Sequence, residues 1–133
     1  MTNEAVIARY FACLDAEDWD AMRELWHEDG ELRAVGARPR AGRDAVLRYF
    51  GRLFAPWPRH TDIPTRVIVA GDVVTAEVRF EGTTPHGDTV AFEAVDVFDL
   101  EEGRIRKLSN WYDLDYVRRA LQSETAVAPP STG

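Results

Sequence analysis

An acid set among apolar residues is the first feature of this sequence with chemical content. In the stretch from Asp88 to Asp113, Val90, Phe92, Ala94, Asp96 and Phe98 fall on one face, because successive strand residues point to opposite sides. A carboxylate there must be paired, hydrogen-bonded or protonated, since burying a bare charge costs more than a small domain can offset. Desolvation disfavours the charged form, so Asp96 is either an acid that keeps its proton at pH 7 and donates to a ligand oxygen or a structural buried acid that holds a helix to the sheet. Tyr10 lies on the apolar stripe of a helix. It is either a core tyrosine whose hydroxyl finds a convenient acceptor or a second donor to that oxygen. Two donors converging on one point form an oxyanion hole, in which a single donor is worth about 3–4 kcal/mol.

His60 and Asp62 are two residues apart and so share a face of a strand. If that face is the inner one, His60 is a proton carrier near neutral pH and Asp62 its orienting partner. The alternative is a solvated pair at a strand end. An inward His60 favours an enzyme, and an outward one a binding module. The histidines at 27, 60 and 86 lack metal-ligand spacing, so no metal is expected, and no cofactor. A Gly-rich phosphate loop, a GxSxG elbow and a CxxC pair are all missing from the sequence.

These residues must be positioned by helices first and strands after. Val6, Ile7, Tyr10, Phe11 and Leu14 form one stripe of a first helix capped by Thr2 or Asn3. A second helix from Asp18 or Asp20 is expected to carry Trp19, Met22, Leu25 and Trp26 and to end at His27 to Gly30. A short strand follows at Glu31 to Val35, and a third helix runs from about Arg43 to Phe54. Pro56 and Pro58 stop it. From His60 the period changes to two, which predicts strands over Thr61 to Val69 and Val73 to Gly82. A hairpin follows, turning at Glu101-Glu102-Gly103. Asp115 to Gln122 reads as one or two terminal helical turns. The order implies an α+β fold: a curved antiparallel sheet wrapped around N-terminal helices, forming a cone with an apolar pocket.

The 133 residues suit one domain, expected over 1–122, with a polar, Pro-containing tail over 123–133 expected to be disordered. A formal net charge of −7 argues against nucleic acid or an anionic membrane surface as partner. The single cysteine, Cys13, excludes an internal disulfide and suits a reducing cytoplasm. No signal peptide or membrane span is expected.

The runs Arg9 to Asp20, Trp26 to Gly30, Gly42 to Val46, Val95 to Phe98 and Gly103 to Ile105 resemble the nuclear transport factor-like, SnoaL-like cone-fold superfamily. Ketosteroid isomerase and the polyketide cyclases are among its members. The resemblance implies the cone fold far more strongly than any one activity, because such pockets host unrelated chemistries. Against ketosteroid isomerase, the oxyanion-binding tyrosine corresponds to Tyr10. The second oxyanion donor of that enzyme, a carboxylic acid kept neutral at pH 7, corresponds to Asp96. The supporting tyrosines fall on Trp26 and Phe50, and the general base falls on Ala34. Isomerase activity by that mechanism is therefore rejected. The resemblance also turns Leu108, Asn110 and Tyr112 toward the pocket.

The expectation is a cofactor-independent cyclase, isomerase or dehydratase acting by proton transfer on a small apolar, carbonyl-bearing compound of polyketide or terpenoid type. Tyr10, Asp96, His60 and Asn110 are its catalytic candidates. Trp26, Phe50, Phe54, Val78, Phe80, Phe92, Leu108 and Tyr112 are expected to contact the ligand. The rivals are a non-catalytic module that binds a hydrophobic ligand or only dimerises, and an epoxide hydrolase. Asp62, Arg79 and Asp96 could imitate an Asp-Arg-Asp site of the latter kind, but alternation turns Arg79 outward. A homodimer through the outer sheet face is expected, its contact mixed rather than greasy because Thr75, Glu77 and Arg79 are polar.

Overall fold

The computed structural model describes residues 1–127, with side chains through Gln122. The elements are α1 (Asn3–Ala16), α2 (Trp19–Arg23), β1 (Trp26–Ala34), β2 (Arg40–Ala41), α3 (Arg43–Phe54), β3 (Arg59–Ala70), β4 (Val73–Thr83), β5 (Thr89–Glu101), β6 (Arg104–Tyr112) and α4 (Leu114–Val127). Six strands make one sheet in the order β2-β1-β6-β5-β4-β3. All neighbours are antiparallel except β1 and β6, which run parallel. The sheet is curved and unclosed, and its inner face packs on the helices.

Thr2 caps α1, its hydroxyl accepting from the Ala5 N–H at 3.1 Å. The buried stripe is Val6, Ile7, Tyr10, Phe11, Cys13 and Leu14. Cys13 is thus a packed helix residue whose thiol burial pushes up in pKa. On α3, Val46, Phe50 and Phe54 are buried, and Leu47 packs at the margin. The inner face of β4 is Val74, Ala76, Val78 and Phe80, all buried, while Thr75, Glu77 and Arg79 face out.

The second helix is shorter than its apolar spacing suggests. It ends at Arg23, and Trp26 opens β1 rather than closing a helix. The cause is tertiary: Ile105 N–H donates to the Leu25 carbonyl at 2.8 Å, and Trp26 registers with Ile105 of β6. A register shift between Trp26 and Glu31 carries the His27 to Gly30 segment inside the strand instead of in a turn. Gly30 is required there, since a Cβ would lie 2.7 Å from the Trp26 ring. At the other end, α4 continues through Ser123 to Val127, so the expected tail begins as helix; 128–133 lie outside the described residues.

Candidate active site

Curvature of the sheet leaves two adjoining cavities between its inner face and α1 and α3. The inner one is lined by Tyr10, Asp62, Asp96 and Asn110 over an apolar floor that includes Leu32, Phe50 and Leu108. The outer one runs along Trp57, Phe80, Phe92 and Tyr112 to Val117 of α4. Leu53, Phe54, Asp62 and Asn110 border both. They leave ≈ 40 and ≈ 70 Å³, respectively, for the centres of water-sized molecules. The aromatic wall of the outer cavity is continuous: ring centroids of Trp57–Phe80, Phe80–Phe92 and Phe92–Tyr112 are 4.9, 4.7 and 5.3 Å apart.

Asp96 and Asn110 are cross-strand partners on β5 and β6. The Asn110 Nδ2 donates to Asp96 Oδ1 at 2.5 Å. Burial, at 4% exposure, raises the Asp96 pKa to about 6, and the Asn110 bond pulls it back by stabilising the carboxylate. At pH 7 Asp96 is therefore mostly a carboxylate, not the protonated donor that its apolar face suggests. Asn110, expected to orient a substrate, gives one of its two amide N–H bonds to Asp96.

Asp62 is the group whose role changes most. It does not orient His60. The His60 Nε2 instead meets Glu17 Oε2 at 2.7 Å, and its ring stacks on Phe54 with centroids 4.2 Å apart. His60 is sealed, with 2% of its side chain exposed, yet it borders neither cavity. Glu17 reaches it because that residue closes α1 in a left-handed conformation, φ 52°. Asp62 borders both cavities. Its backbone N–H donates to Asp15 Oδ1 at 2.8 Å, while its own Oδ1 is buried with no hydrogen-bond partner among the described residues. Burial first, then the nearby Asp96 and Asp15 carboxylates, push its pKa up to about 8.

Tyr10 borders the inner cavity, 2% exposed, its ring against Phe11, Phe50 and Phe98. Burial and the two aspartates hold its phenol well above the ordinary tyrosine range, so it stays a donor. The structure thus brings Tyr10, Asp96 and Asn110 together and leaves His60 aside: it is neither the base facing the pocket nor a solvated strand-end residue, so it does not supply the support for an enzyme that an inward His60 was expected to give. Of the expected ligand contacts, Phe50, Phe54, Phe80, Phe92, Leu108 and Tyr112 line the cavities; Trp26 and Val78 are buried elsewhere. Sequence reasoning missed Tyr49, Leu53 and Trp57, for which position on or just after α3 was the available signal. Ala34 does line the inner cavity, in register with Asn110, so the wall lacks a carboxylate there. Arg79 is bound to Glu81 at 2.8 Å on the outer face, so the Asp-Arg-Asp arrangement is not formed.

The helices and the open sheet agree with the comparisons with known proteins. The SnoaL-like domain family matches residues 7–108. The chain belongs to the SnoaL-like family. Among solved structures, one from Jannaschia sp. CCS1 described as a SnoaL-like polyketide cyclase superposes with a TM-score of 0.84 at 24% identity. The match covers 96% of this chain and 93% of that one. An ntf2-like protein of unknown function from Burkholderia pseudomallei K96243 gives a TM-score of 0.83 at 15% identity, over 91% and 98%. The epoxide hydrolase/cyclase-like enzyme SalBIII, with a role in pyran ring formation in polyether salinomycin, gives 0.75 at 28% identity, over 85% and 92%. No curated protein matches the sequence. None of the helices among the described residues is long and apolar enough to cross a membrane.

Proposed function

We propose that this SnoaL-like protein is an enzyme that moves a proton on a small apolar, carbonyl-bearing compound, in cyclase, isomerase or dehydratase chemistry. One observation carries the reading: Asp62, Asp96 and Tyr10 border a single cavity whose remaining wall, Asn110 apart, is apolar and aromatic. Asp96 is the base, because the Asn110 amide stabilises its carboxylate. Asp62 and Tyr10 are the donors. Asp62 has no donor of its own to hold a charge, and a phenol in this setting keeps its hydrogen. The separation of the two acids, about 6 and about 8, fits that division of labour at neutral pH.

In the step, Asp96 takes a proton from the carbon beside the carbonyl. The electron pair moves onto the carbonyl oxygen, which receives hydrogen bonds from Tyr10 and Asp62. The resulting enolate is reprotonated at another carbon by the proton Asp96 now carries, adds to a second carbonyl that takes the Asp62 proton, or expels a β-hydroxyl that takes the Asp62 proton and leaves as water. The aromatic outer cavity accommodates a flat apolar remainder of the substrate.

The test follows loss of α-proton signals by NMR when apolar cyclic ketones and polyketide-like 1,3-dicarbonyls are held in D₂O with the protein. Exchange above the buffer rate is expected. It should fall by about 10²–10⁴-fold in Asp96→Asn and by about 10²–10³-fold in Tyr10→Phe. Binding of these compounds without any accelerated exchange would leave the binding-module alternative standing instead. A second reading rests on the likeness to SalBIII: two carboxyls on one cavity also suit epoxide opening, Asp62 protonating the oxygen while Asp96 takes the proton of an internal hydroxyl. Epoxy-alcohols in the same panel separate the two.

A further inference from the structure

His60 is placed as a ligand is placed, yet nothing in the proton-transfer reading uses it. Its Nε2 is fixed by Glu17, and a carboxylate accepts, so Nε2 carries the ring hydrogen. The Nδ1 lone pair is then left buried, with no partner among the described residues, in a side chain 2% exposed. A buried acceptor left unsatisfied destabilises the fold, so something is expected to occupy it. Asp62 Oδ1 is sealed and unpartnered in the same way. Asp15 completes the group: one ligand atom each of Asp15, His60 and Asp62 lie within 4.8 Å of one another.

From this geometry we propose that Asp15, His60 and Asp62 bind one divalent first-row transition cation, with Glu17 orienting the imidazole from behind. Metal-ligating histidines almost always donate their other ring N–H to a carboxylate, carbonyl or water, and Glu17 provides the first of these. Donor atoms around zinc at about 2.0–2.2 Å stand roughly 3–4 Å apart, so the three close on an ion by small side-chain rotations. One imidazole with two carboxylates suits zinc, cobalt or nickel better than calcium or magnesium, which take oxygen alone. Three protein ligands leave coordination positions open, and Asp62 places them beside the cavities. The expectation of no metal, drawn from histidine spacing, takes no account of Asp15, which is brought to His60 by the packing of α1 on β3. A bound ion holds Asp62 as a carboxylate, so the proton-transfer reading describes the ion-free protein and the two are tested apart.

Chelator-treated full-length protein is titrated with Co²⁺ by visible absorption and with Zn²⁺ by calorimetry, without substrate. One ion per chain is expected. Asp15→Asn and His60→Ala should each weaken binding at least ~100-fold, and Glu17→Gln, which removes no ligand, by about 10–100-fold. His86→Ala, a turn histidine outside the cluster, and Asp96→Asn should bind as the parent does. Where His60→Ala fails to fold, Asp15→Asn and Glu17→Gln decide. Absence of binding to the parent protein, or parental affinity in both Asp15→Asn and Glu17→Gln, overturns the site; an ordered water then satisfies Nδ1. Because Asp96→Asn abolishes exchange but spares the ion, failure of this site and failure of the catalytic reading are distinguishable.

Discussion

Asp96 and Asp62 reach the same cavity from two differently built parts of the molecule. Asp96 sits at mid-strand on β5, between inner-face apolar neighbours and opposite an amide on the next strand. Asp62 sits on β3, the edge strand, where α1 covers one end of the sheet and supplies Asp15 and Glu17. Both acids are desolvated. One has a donor and is raised to about 6; the other has no donor, faces two like charges, and is raised to about 8. A single cross-strand hydrogen bond and the arrangement of like charges separate a base from an acid in one pocket.

The largest effect that could undo this contrast is on stability. An acid whose folded pKa is raised favours the fold only when neutral. That contribution is complete below the unfolded value and is lost as pH rises through the folded one. For Asp62 the loss runs from about 4 to about 8 and amounts to roughly 6 kcal/mol at most. Asp62→Asn should therefore flatten the decline in unfolding free energy across that window, read by denaturant melts at several pH values. Parallel curves for variant and parent would mean Asp62 is not the unsupported acid.

Removing the amide tests the other acid. Asn110→Leu takes away a hydrogen bond to a charged group and should cost about 1.5–3 kcal/mol at pH 7. It should also move the Asp96 titration upward from about 6 toward the Asp62 value. The carboxyl carbon chemical shift of Asp96 against pH reports both states. A parent midpoint near or below ~4, the value of a free aspartate, would make Asp96 a fully stabilised carboxylate, too weak a base for the proton transfer assigned to it.

Ala34 offers a gain rather than a loss. With no carboxylate at 34, the parent should not turn over a Δ5-3-ketosteroid. Ala34→Asp, facing Asn110 in the cavity, should introduce weak isomerisation through Tyr10, detectable by absorbance of the conjugated product. Parent turnover near that of a true isomerase would show that Asp62 or Asp96 already does the work of the missing base.

The smallest effect concerns the outer face, where Trp111 is 48% exposed beside Val95 and near Glu77 and Glu93. If this face joins two copies, Trp111→Glu should weaken the dimer in sedimentation equilibrium and leave the unfolding free energy of the monomer within about 0.5 kcal/mol, as for an ordinary surface change. A parent protein that sediments as a monomer removes the homodimer.

Fold class, the stripes of α1 and α3, and the oddity of Asp96 are all legible in the amino-acid order, because period and composition are local properties of the chain. Phe92, Ala94 and Phe98 make an acid between them conspicuous. No such frame surrounds Asp62. Its face neighbours are His60 and Pro64, and β3 beyond Pro64 is exposed along its length, so no run of apolar residues on that face marks it as inner. Trp26 departs from expectation for the complementary reason: its spacing from Met22 is helical, but β6 pulls the backbone into a parallel ladder that only the folded sheet provides. Folding alone sets His60 against Glu17 rather than Asp62, joins Asn110 to Asp96, and brings Asp15 into the cluster. Those contacts span 43, 14 and 47 residues. Sequence periodicity reports which face a residue occupies, whereas packing decides what stands opposite it.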